Sequence, residues 1–490
     1  MDFSHKYLIT NLTILLLFII FSYINYYIIN RSKEKMYTRI YLDKIKEFLS
    51  TTSFSVIVGI ISFLIWFSSE PFNYIFMAVY FLFSFIPLLS DDGKNYIPLF
   101  LFLLITSNKN LSFVDLNIQT WLLFSVMILS FIIFIIKNRL TFKKGDLLIP
   151  MTALILTIFV SYLYNAIKSS VLLYQGALFL VFLTTALLTY ALFCTILGNR
   201  ECITFFSKNF ALLSVFIILQ LMFAYIRKGE YTFSNDNISL GWAFNKDMIS
   251  TFLISSIPFI LLLINRKKIL YFVPLLLNLI ALIVLGNNLS LLFVFFAFIP
   301  ITIMAFKNFG KLYPYLSILS IASFIIVFSL LLFLNDIFNK RMIESLSILL
   351  FFSDKSPVLK FYFDDAFSVI KTQYILGGSI KHYILSGNYL LFSSNTYLST
   401  LVLGGIVSLI AYLYLEIRVL YHTLRKKVEE RMIFFFFLIS FFFVGLFTNT
   451  VYSIPILFLY LLSNSVYQMS NREDDIKIHK DYPQKRTTII

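Results

Sequence analysis

The sequence predicts an all-α polytopic membrane protein with about 13–15 transmembrane helices and one long external loop that carries an amphipathic helix. Three observations support this fold class. Hydrophobic residues make up 59% of the chain and charged residues only 13%, whereas a soluble domain carries about 25% charged residues. Apolar runs of helix length recur along the chain, and basic residues concentrate in alternate loops between them. A surface with so few charges cannot face water.

The apolar runs predict the spans in order, because a helix needs about 20 apolar residues to cross the hydrocarbon core. The run 95–107 is short and the run 453–468 is weakly apolar, so either is expected to insert only part-way. The first run is too long for a signal-peptide core and lacks a small-residue cleavage site, which favours a retained span. The predicted spans are 7–29, 48–67, 72–89, 95–107, 118–136, 147–165, 171–197, 205–226, 248–264, 269–286, 289–306, 314–334, 395–415, 432–449 and 453–468.

Basic residues predict the orientation of these spans. Short cytoplasmic loops of membrane proteins are rich in lysine and arginine, and one alternating set of loops has this composition while the short loops of the other set have almost none. The first set is therefore expected in the cytoplasm, with the N-terminus outside and the C-terminus inside. Since the net charge of +15 is distributed in this way, no nucleic-acid partner is expected. The basic loops are 31–46, 137–144, 266–268, 307–311 and 418–431.

The longest polar interval divides the chain into four parts. Residues 1–334 form the first part of the helix bundle, 335–394 form the external loop, 395–468 form the C-terminal spans, and 469–490 are predicted to be a disordered cytoplasmic tail. Within the loop, apolar residues of 358–376 recur at helical spacing opposite a polar face, which predicts an interfacial helix. Gly377 and Gly378 would stop that helix.

Motifs for nucleotide or metal chemistry are absent from the sequence. Cys194 and Cys202 cannot build a disulfide framework or a metal cluster. The sequence contains no CxxC, HExxH or P-loop motif, and no GxGxxG follows a strand pattern. We therefore expect neither a metal nor a cofactor.

Three polar segments on the predicted external face contain the candidate functional residues. Together they would form a polar cavity above apolar helices, in which an acceptor hydroxyl and an anionic, lipid-carried donor could meet. The segments are 227–250 before a span, the turn 286–288, and 393–398 at the end of the long loop, with Gly404 and Gly405 further on.

The order and spacing of these segments resemble the O-antigen ligase/polymerase (Wzy-type) superfamily, the membrane enzymes that handle polyprenyl-diphosphate-linked glycans. The resemblance covers about 235–415, and its last block is the most specific. The family's G-x-F-x-N-P-N segment corresponds to 241–247 (GWAFNKD), its S-R-G turn to 286–290 (GNNLS), its loop arginine to Arg341, its P-x-x-G-x-G to 373–378 (QYILGG), and its H-N-x-Y-L…G-x-x-G to 394–398 (SNTYL) with Gly404 and Gly405.

The resemblance implies metal-independent glycosyl transfer at the external face of a bacterial plasma (inner) membrane. An acceptor sugar hydroxyl attacks the anomeric carbon of a glycan on undecaprenyl diphosphate, and the lipid diphosphate leaves. The implied partners are this lipid-linked oligosaccharide, membrane lipids, and flippase and chain-length regulator proteins. Fixed cations would stabilise the leaving diphosphate. The implied substrate-binding residues are Arg341, Arg227, Lys246, Asn245, Ser394, Asn395 and Tyr397.

The general base is not the one typical of the family, because Ser394 stands where the family has histidine. The arginine of the middle turn is also missing. These departures favour the polymerase branch over the ligase branch. The remaining candidates for the base are His382, Asp364 (or Asp365) and Asp247.

Each of these residues also has a purely structural interpretation. Arg341 would meet lipid headgroups, Asn395 would cap a helix, and Gly404 with Gly405 would allow close helix packing. His382 would be a solvated loop residue, and Asp364 would lie on the polar face of the interfacial helix.

Other functions remain open from the sequence. Transfer of a finished glycan to a lipid or protein anchor differs from polymerisation only in the acceptor. A flippase should show two related halves and charged residues within its spans; here the halves differ and the predicted spans are poor in charge. A glycosyltransferase that uses a polyprenyl-monophosphate sugar typically carries an acidic pair in its first external loop, and this chain offers only Glu70 in the loop after the second span.

Overall fold

The computed structural model describes residues 36–68, 72–106, 118–167, 173–197, 201–228, 246–266, 269–287, 290, 293–294, 371, 374–378, 395–425, 431–447 and 454–481. Every regular element in these ranges is helical, which confirms the all-α prediction for the described part of the chain. The helices are α1 (Met36–Leu49), α2 (Thr52–Phe67), α3 (Phe72–Phe85), α4 (Ile97–Leu103), α5 (Ile118–Lys137), α6 (Leu148–Ile167), α7 (Leu173–Ile196), α8 (Glu201–Lys228), α9 (Lys246–Asn265), α10 (Phe272–Leu285), α11 (Thr396–Arg425), α12 (Arg431–Phe447) and α13 (Ile454–Asp481).

The apolar runs coincide with helices wherever the structure describes them. Helices α6, α8, α9 and α11 are long and apolar enough to cross a membrane, and α1 with α2 forms a further candidate that is bent by 65°. Shorter apolar segments of 10–17 residues lie in α3, α5, α7, α10, α12 and α13. The chain is therefore a multi-pass helical membrane protein. The predicted runs 7–29 and 314–334, and most of 289–306, lie outside the described residues, so the total of about 13–15 spans stays a prediction.

Helix α4 has only seven residues and does not cross the bundle. Its residues are fully buried, and it packs against α2 and α8. Phe100 in α4 contacts the rings of Phe131, Phe193 and Phe458, with centroids 4.9, 4.6 and 5.6 Å away. A half-helix is tolerated at membrane depth when protein surrounds it, which agrees with the partial insertion expected of the run 95–107.

Contacts at the helix ends join segments that the basic-residue pattern assigns to the same face. Lys46 Nζ lies 2.7 Å from Asp91 Oδ2 at one end of the bundle. At the opposite end, Gln220 Nε2 donates to the carbonyl oxygen of Ile105 at 2.9 Å. Which of these faces is cytoplasmic stays a prediction.

The C-terminal prediction is wrong in part. Helix α13 continues to Asp481, so the tail expected to be disordered from 469 is helical over those residues. The reason lies in the sequence, because no glycine or proline follows the apolar part of α13 before Pro483. Polar composition alone therefore misplaced the end of this helix.

The predicted span 395–415 is also corrected. Helix α11 extends to Arg425, and its backbone is non-helical at Gly405, with φ 69° and ψ −165°. Glycine reaches this backbone region without a steric penalty, whereas other residues do not. Helix α11 therefore has two arms, Thr396–Gly404 and Ile406–Arg425 (below, the first and second arms).

Candidate functional site

Two of the three segments singled out in the sequence meet at the N-terminus of α9. Asn287 Nδ2 donates to Asp247 Oδ1 at 2.5 Å, and Ser250 Oγ donates to Asn287 Oδ1 at 2.9 Å. The backbone N–H of Ser290 also donates to Asn287 Oδ1, at 3.3 Å. We call Lys246, Asp247, Ser250, Asn287 and Ser290 the Asp247 cluster.

The chain topology explains this meeting. Helices α9 and α10 are consecutive and pack together, so the start of α9 and the end of α10 lie at one end of the bundle. Helix α10 ends at Gly286, whose left-handed φ of 59° turns the chain so that Asn287 follows directly. Lys246 at the first position of α9 is only 3% exposed. Asp247 lies in the first turn, where the helix dipole stabilises a carboxylate.

Asn395 is a helix cap. Its Oδ1 accepts a hydrogen bond from the backbone N–H of Leu398 at 3.0 Å, and its Nδ2 donates to the carbonyl oxygen of Leu446 at 3.0 Å. The structure therefore shows the capping role that the sequence left open. Both polar atoms of the amide are engaged within the protein, so a substrate contact by Asn395 stays a prediction.

The cap also locates Asn395 relative to the Asp247 cluster. Phe259 of α9 contacts Phe434 and Phe437 of α12, with ring centroids 5.5 and 5.2 Å apart. Nearer its C-terminal end, α12 contacts Phe293, which lies three residues after Ser290: the rings of Phe443 and Phe293 have centroids 6.5 Å apart. The C-terminal end of α12, which contains Leu446, is therefore the end near the Asp247 cluster. Asn395, which bonds Leu446, therefore lies at the same end of the bundle as the Asp247 cluster.

Tyr397 contacts a residue that the sequence analysis missed. The Tyr397 hydroxyl donates to both carboxylate oxygens of Glu416 at 3.3 Å, and Glu416 is only 8% exposed. The ring of Tyr397 also contacts that of Tyr412, with centroids 5.5 Å apart. A carboxylate inside an apolar helix indicates a functional site. The sequence analysis did not consider Glu416 because it lies one residue past the predicted span 395–415. The apolar helix therefore contains one acidic residue that the predicted span did not include.

The contact shows how sharply α11 bends. Tyr397 and Glu416 are 19 residues apart, and a straight helix would separate their Cα atoms by about 28 Å. Their side chains meet because the chain reverses at Gly405, so that the first arm folds back along the second. The first arm is therefore too short to cross the membrane by itself.

The break at Gly405 is covered by residues 374–378 of the long loop. The backbone N–H of Gly378 donates to Val402 O at 2.8 Å, and that of Ile406 donates to Tyr374 O at 3.0 Å. A Cβ on Gly377 would lie 2.5 Å from the backbone nitrogen of Gly405. The two glycine pairs of the family-like motifs thus touch. Gly404 and Gly405 pack closely, but against this turn of the loop and not through the helix–helix contact that the sequence suggested.

A polar stripe on α6 satisfies the groups that the break releases. Ser161 Oγ donates to Leu403 O at 2.7 Å, and Asn165 Nδ2 donates to Gly377 O at 3.3 Å. One turn earlier, Ser408 Oγ donates to Thr157 Oγ1 at 2.8 Å. Because no water reaches backbone groups within the hydrocarbon, an irregular helix survives there only with such partners.

Most of the remaining predicted site residues lie in parts of the chain that the structure does not describe. Arg227 lies in the last turn of α8. Arg341, Asp364, His382, Asn245 and Ser394 lie outside the described residues, so their roles stay predictions. Within the described ranges, no three His, Cys, Asp or Glu residues form a group that could hold a metal ion.

Comparison with known proteins adds no family assignment. No family model matches the chain, and no curated protein matches it.

Proposed function

We propose that this protein is a polymerase of lipid-linked oligosaccharide repeat units in the synthesis of a bacterial surface polysaccharide. An acceptor sugar hydroxyl attacks the anomeric carbon of a glycan carried on undecaprenyl diphosphate. The new glycosidic bond forms as the bond between that carbon and the diphosphate oxygen breaks, and the hydroxyl proton passes to a general base. One observation carries the proposal: the Asp247 cluster and the Asn395 cap, which come from separate segments of the sequence, lie at one end of the bundle.

Asp247 is the base candidate that the described residues favour. A general base must be held in position by a neighbouring group, and the amide of Asn287 holds one oxygen of the Asp247 carboxylate at 2.5 Å. The adjoining Lys246 supplies a buried positive charge at the start of α9. A cation fixed before the reaction stabilises the negative charge that develops on the departing diphosphate.

Arg341 and Arg227 complete the proposed site as ligands of the diphosphate. Arginine suits this role because its planar guanidinium binds two phosphate oxygens at once. This part of the proposal rests on the resemblance of the sequence to the ligase/polymerase superfamily. So do the assignment of His382 and Asp364 as alternative bases and the external location of the reaction.

A transporter of lipid-linked oligosaccharides is the second candidate, and two observations favour it. Transporters often carry ionisable residues inside their spans and build their sites from broken helices. Glu416 is buried in α11, and α11 is broken at Gly405. Transfer of the glycan to a lipid or protein anchor is a third outcome that the same experiment separates.

The test is deletion of the gene in its host, complemented with wild type, Asp247→Asn or Arg341→Ala, followed by sizing of the lipid-linked glycans. Asp247→Asn keeps an oxygen that can accept from Asn287 but removes the base, which should slow transfer about 10²–10⁴-fold. A polymerase predicts that single repeat units accumulate on the lipid and that long chains disappear. The matched control is Asp91→Asn, which changes an exposed carboxylate at the opposite end of the bundle.

Other outcomes would overturn the proposal in different ways. Full-length lipid-linked chains that fail to reach an anchor would mean a ligase. Repeat units that accumulate facing the cytoplasm would mean a flippase. Normal polymer in the Asp247→Asn strain, with the variant protein present in the membrane, would remove Asp247 from the role of base.

A further inference from the structure

Glu416 is a buried ionisable residue in the described part of the chain, and the proposed reaction does not explain its position. It lies in the second arm of α11, is 8% exposed, and has phenol groups around it. Tyr397 bonds both of its oxygens, Tyr412 also hydrogen-bonds it, and Tyr460 of α13 lies close enough to interact electrostatically with both Glu416 and Tyr397. A carboxyl group inside a membrane domain is costly, so its presence indicates a specific role.

The contacts of the first arm indicate what that role is. At the Gly405 end, the arm is held by backbone hydrogen bonds to residues 374–378 and by Ser161 of α6. At the Thr396 end, the contacts include the Tyr397–Glu416 hydrogen bonds, the contact between the rings of Tyr397 and Tyr412, and the Asn395–Leu446 hydrogen bond. Tyr397 is two residues from Asn395, so the Glu416 contact holds the end of the arm that carries the Asn395 cap, at the same end of the bundle as the Asp247 cluster.

We propose that Glu416 is a positioning residue of the transfer site, acting through Tyr397 to hold the first arm of α11 and the Asn395 cap in place. The effect of Glu416 on glycan transfer rests on the proposed function. That Glu416 holds the first arm does not. The carboxylate is suited to the task because it presents two acceptor oxygens and no donor to a single hydroxyl. Displacing a segment of an active site by about 1 Å can slow a reaction on the order of 10²-fold.

The test uses the full-length protein in detergent or vesicles with lipid-linked repeat units as substrate. Tyr397→Phe and Glu416→Leu should each lower kcat about 10- to 100-fold with little change in KM, because positioning is lost while other substrate contacts remain. The double variant should be no slower than the slower single variant, since both changes remove one interaction. Glu416→Gln, which keeps the side-chain size and one acceptor oxygen, should restore part of kcat.

A second measurement does not depend on activity. Amide hydrogen exchange should rise in residues 396–404 of Tyr397→Phe and Glu416→Leu, and it should stay unchanged in α6. The matched control is Tyr225→Phe, because the Tyr225 hydroxyl is buried without a hydrogen-bond partner. This control should change neither the exchange of the first arm nor kcat.

The two measurements separate the two hypotheses. Unchanged exchange in the first arm, or independent additive losses in the double variant, overturns the positioning role whatever the activity. Increased exchange with unchanged kcat would show that Glu416 holds the first arm but that the arm does not position the reacting groups. That result also overturns the positioning role. A wild-type protein that transfers no glycan overturns the proposed function and the positioning role with it, whereas the exchange result still decides whether Glu416 holds the arm.

Discussion

A side chain on Gly405 would place its Cβ 2.1 Å from the carbonyl oxygen of Ile375. The break in α11 and the 374–378 segment of the long loop are therefore two backbone surfaces in direct contact, with no space for a side chain between them. The hydrogen bonds from Gly378 to Val402 and from Ile406 to Tyr374 close the same junction. Segments far apart in the sequence thus form one closely packed junction.

Gly405→Ala should destabilise the protein strongly. Alanine would take on backbone strain of about 1–3 kcal/mol, and its methyl group would push the 374–378 turn away. We expect a lower midpoint of thermal unfolding in detergent. The comparison is Val407→Ala, which introduces the same alanine two residues further along α11, at a position where the side chain is 41% exposed. Equal losses from both substitutions would contradict the assigned role of Gly405.

Ser161→Ala should weaken the same junction more mildly. It leaves the carbonyl oxygen of Leu403 without the hydroxyl that now bonds it at 2.7 Å. Polar contacts between membrane helices contribute about 0.6–1.7 kcal/mol, so the unfolding midpoint should fall by a few degrees. Ser207→Ala is the control, because that buried hydroxyl bonds only within its own helix, to Ile203 O. If both variants lose the same stability, Ser161 does not support the break.

Phe100→Ala tests whether α4 is enclosed by protein. Phe100 is fully buried against Phe193 and Phe131, and removing such a ring costs about 3–5 kcal/mol through lost burial and the cavity left behind. Phe142→Ala removes the same ring from a position that is 58% exposed, so it should cost far less. Comparable unfolding midpoints for the two variants would mean that α4 does not lie within a packed core.

Asp91→Asn should leave stability nearly unchanged. The Lys46–Asp91 pair is solvent-accessible, with the Asp91 side chain 69% exposed. Exposed ion pairs contribute at most about 1 kcal/mol and are screened by salt. The small difference between the unfolding midpoints of wild type and variant at low ionic strength should disappear at high ionic strength. A large loss that persists at high salt would show that Asp91 has another partner.

The sequence predicted those features that depend on neighbouring residues, such as apolar helices and helix caps. Apolar runs predicted the described helices except α1, which lies mostly in the predicted basic loop 31–46. The capping bond of Asn395 is one of the two roles that the sequence left open for this residue. The polar segment before α9 and the Asn287 turn were expected at one face, and they meet there through Asp247. The sequence analysis missed Glu416, because a single acidic residue at the margin of an apolar run looks like the start of a loop.

The sequence by itself determined the class of the protein. The backbone groups of an apolar chain in a membrane have no water to bond, so they must form hydrogen bonds within the protein, and helices do so within each segment. Only the tertiary structure decided where helices stop being regular. The reversal at Gly405 depends on partners from elsewhere in the chain, namely Gly377, Ser161 and the Tyr397–Glu416 contact. Glycine permits such a break in any sequence, but the break persists only where folding brings hydrogen-bonding groups from distant segments to the carbonyls and N–H groups that it releases.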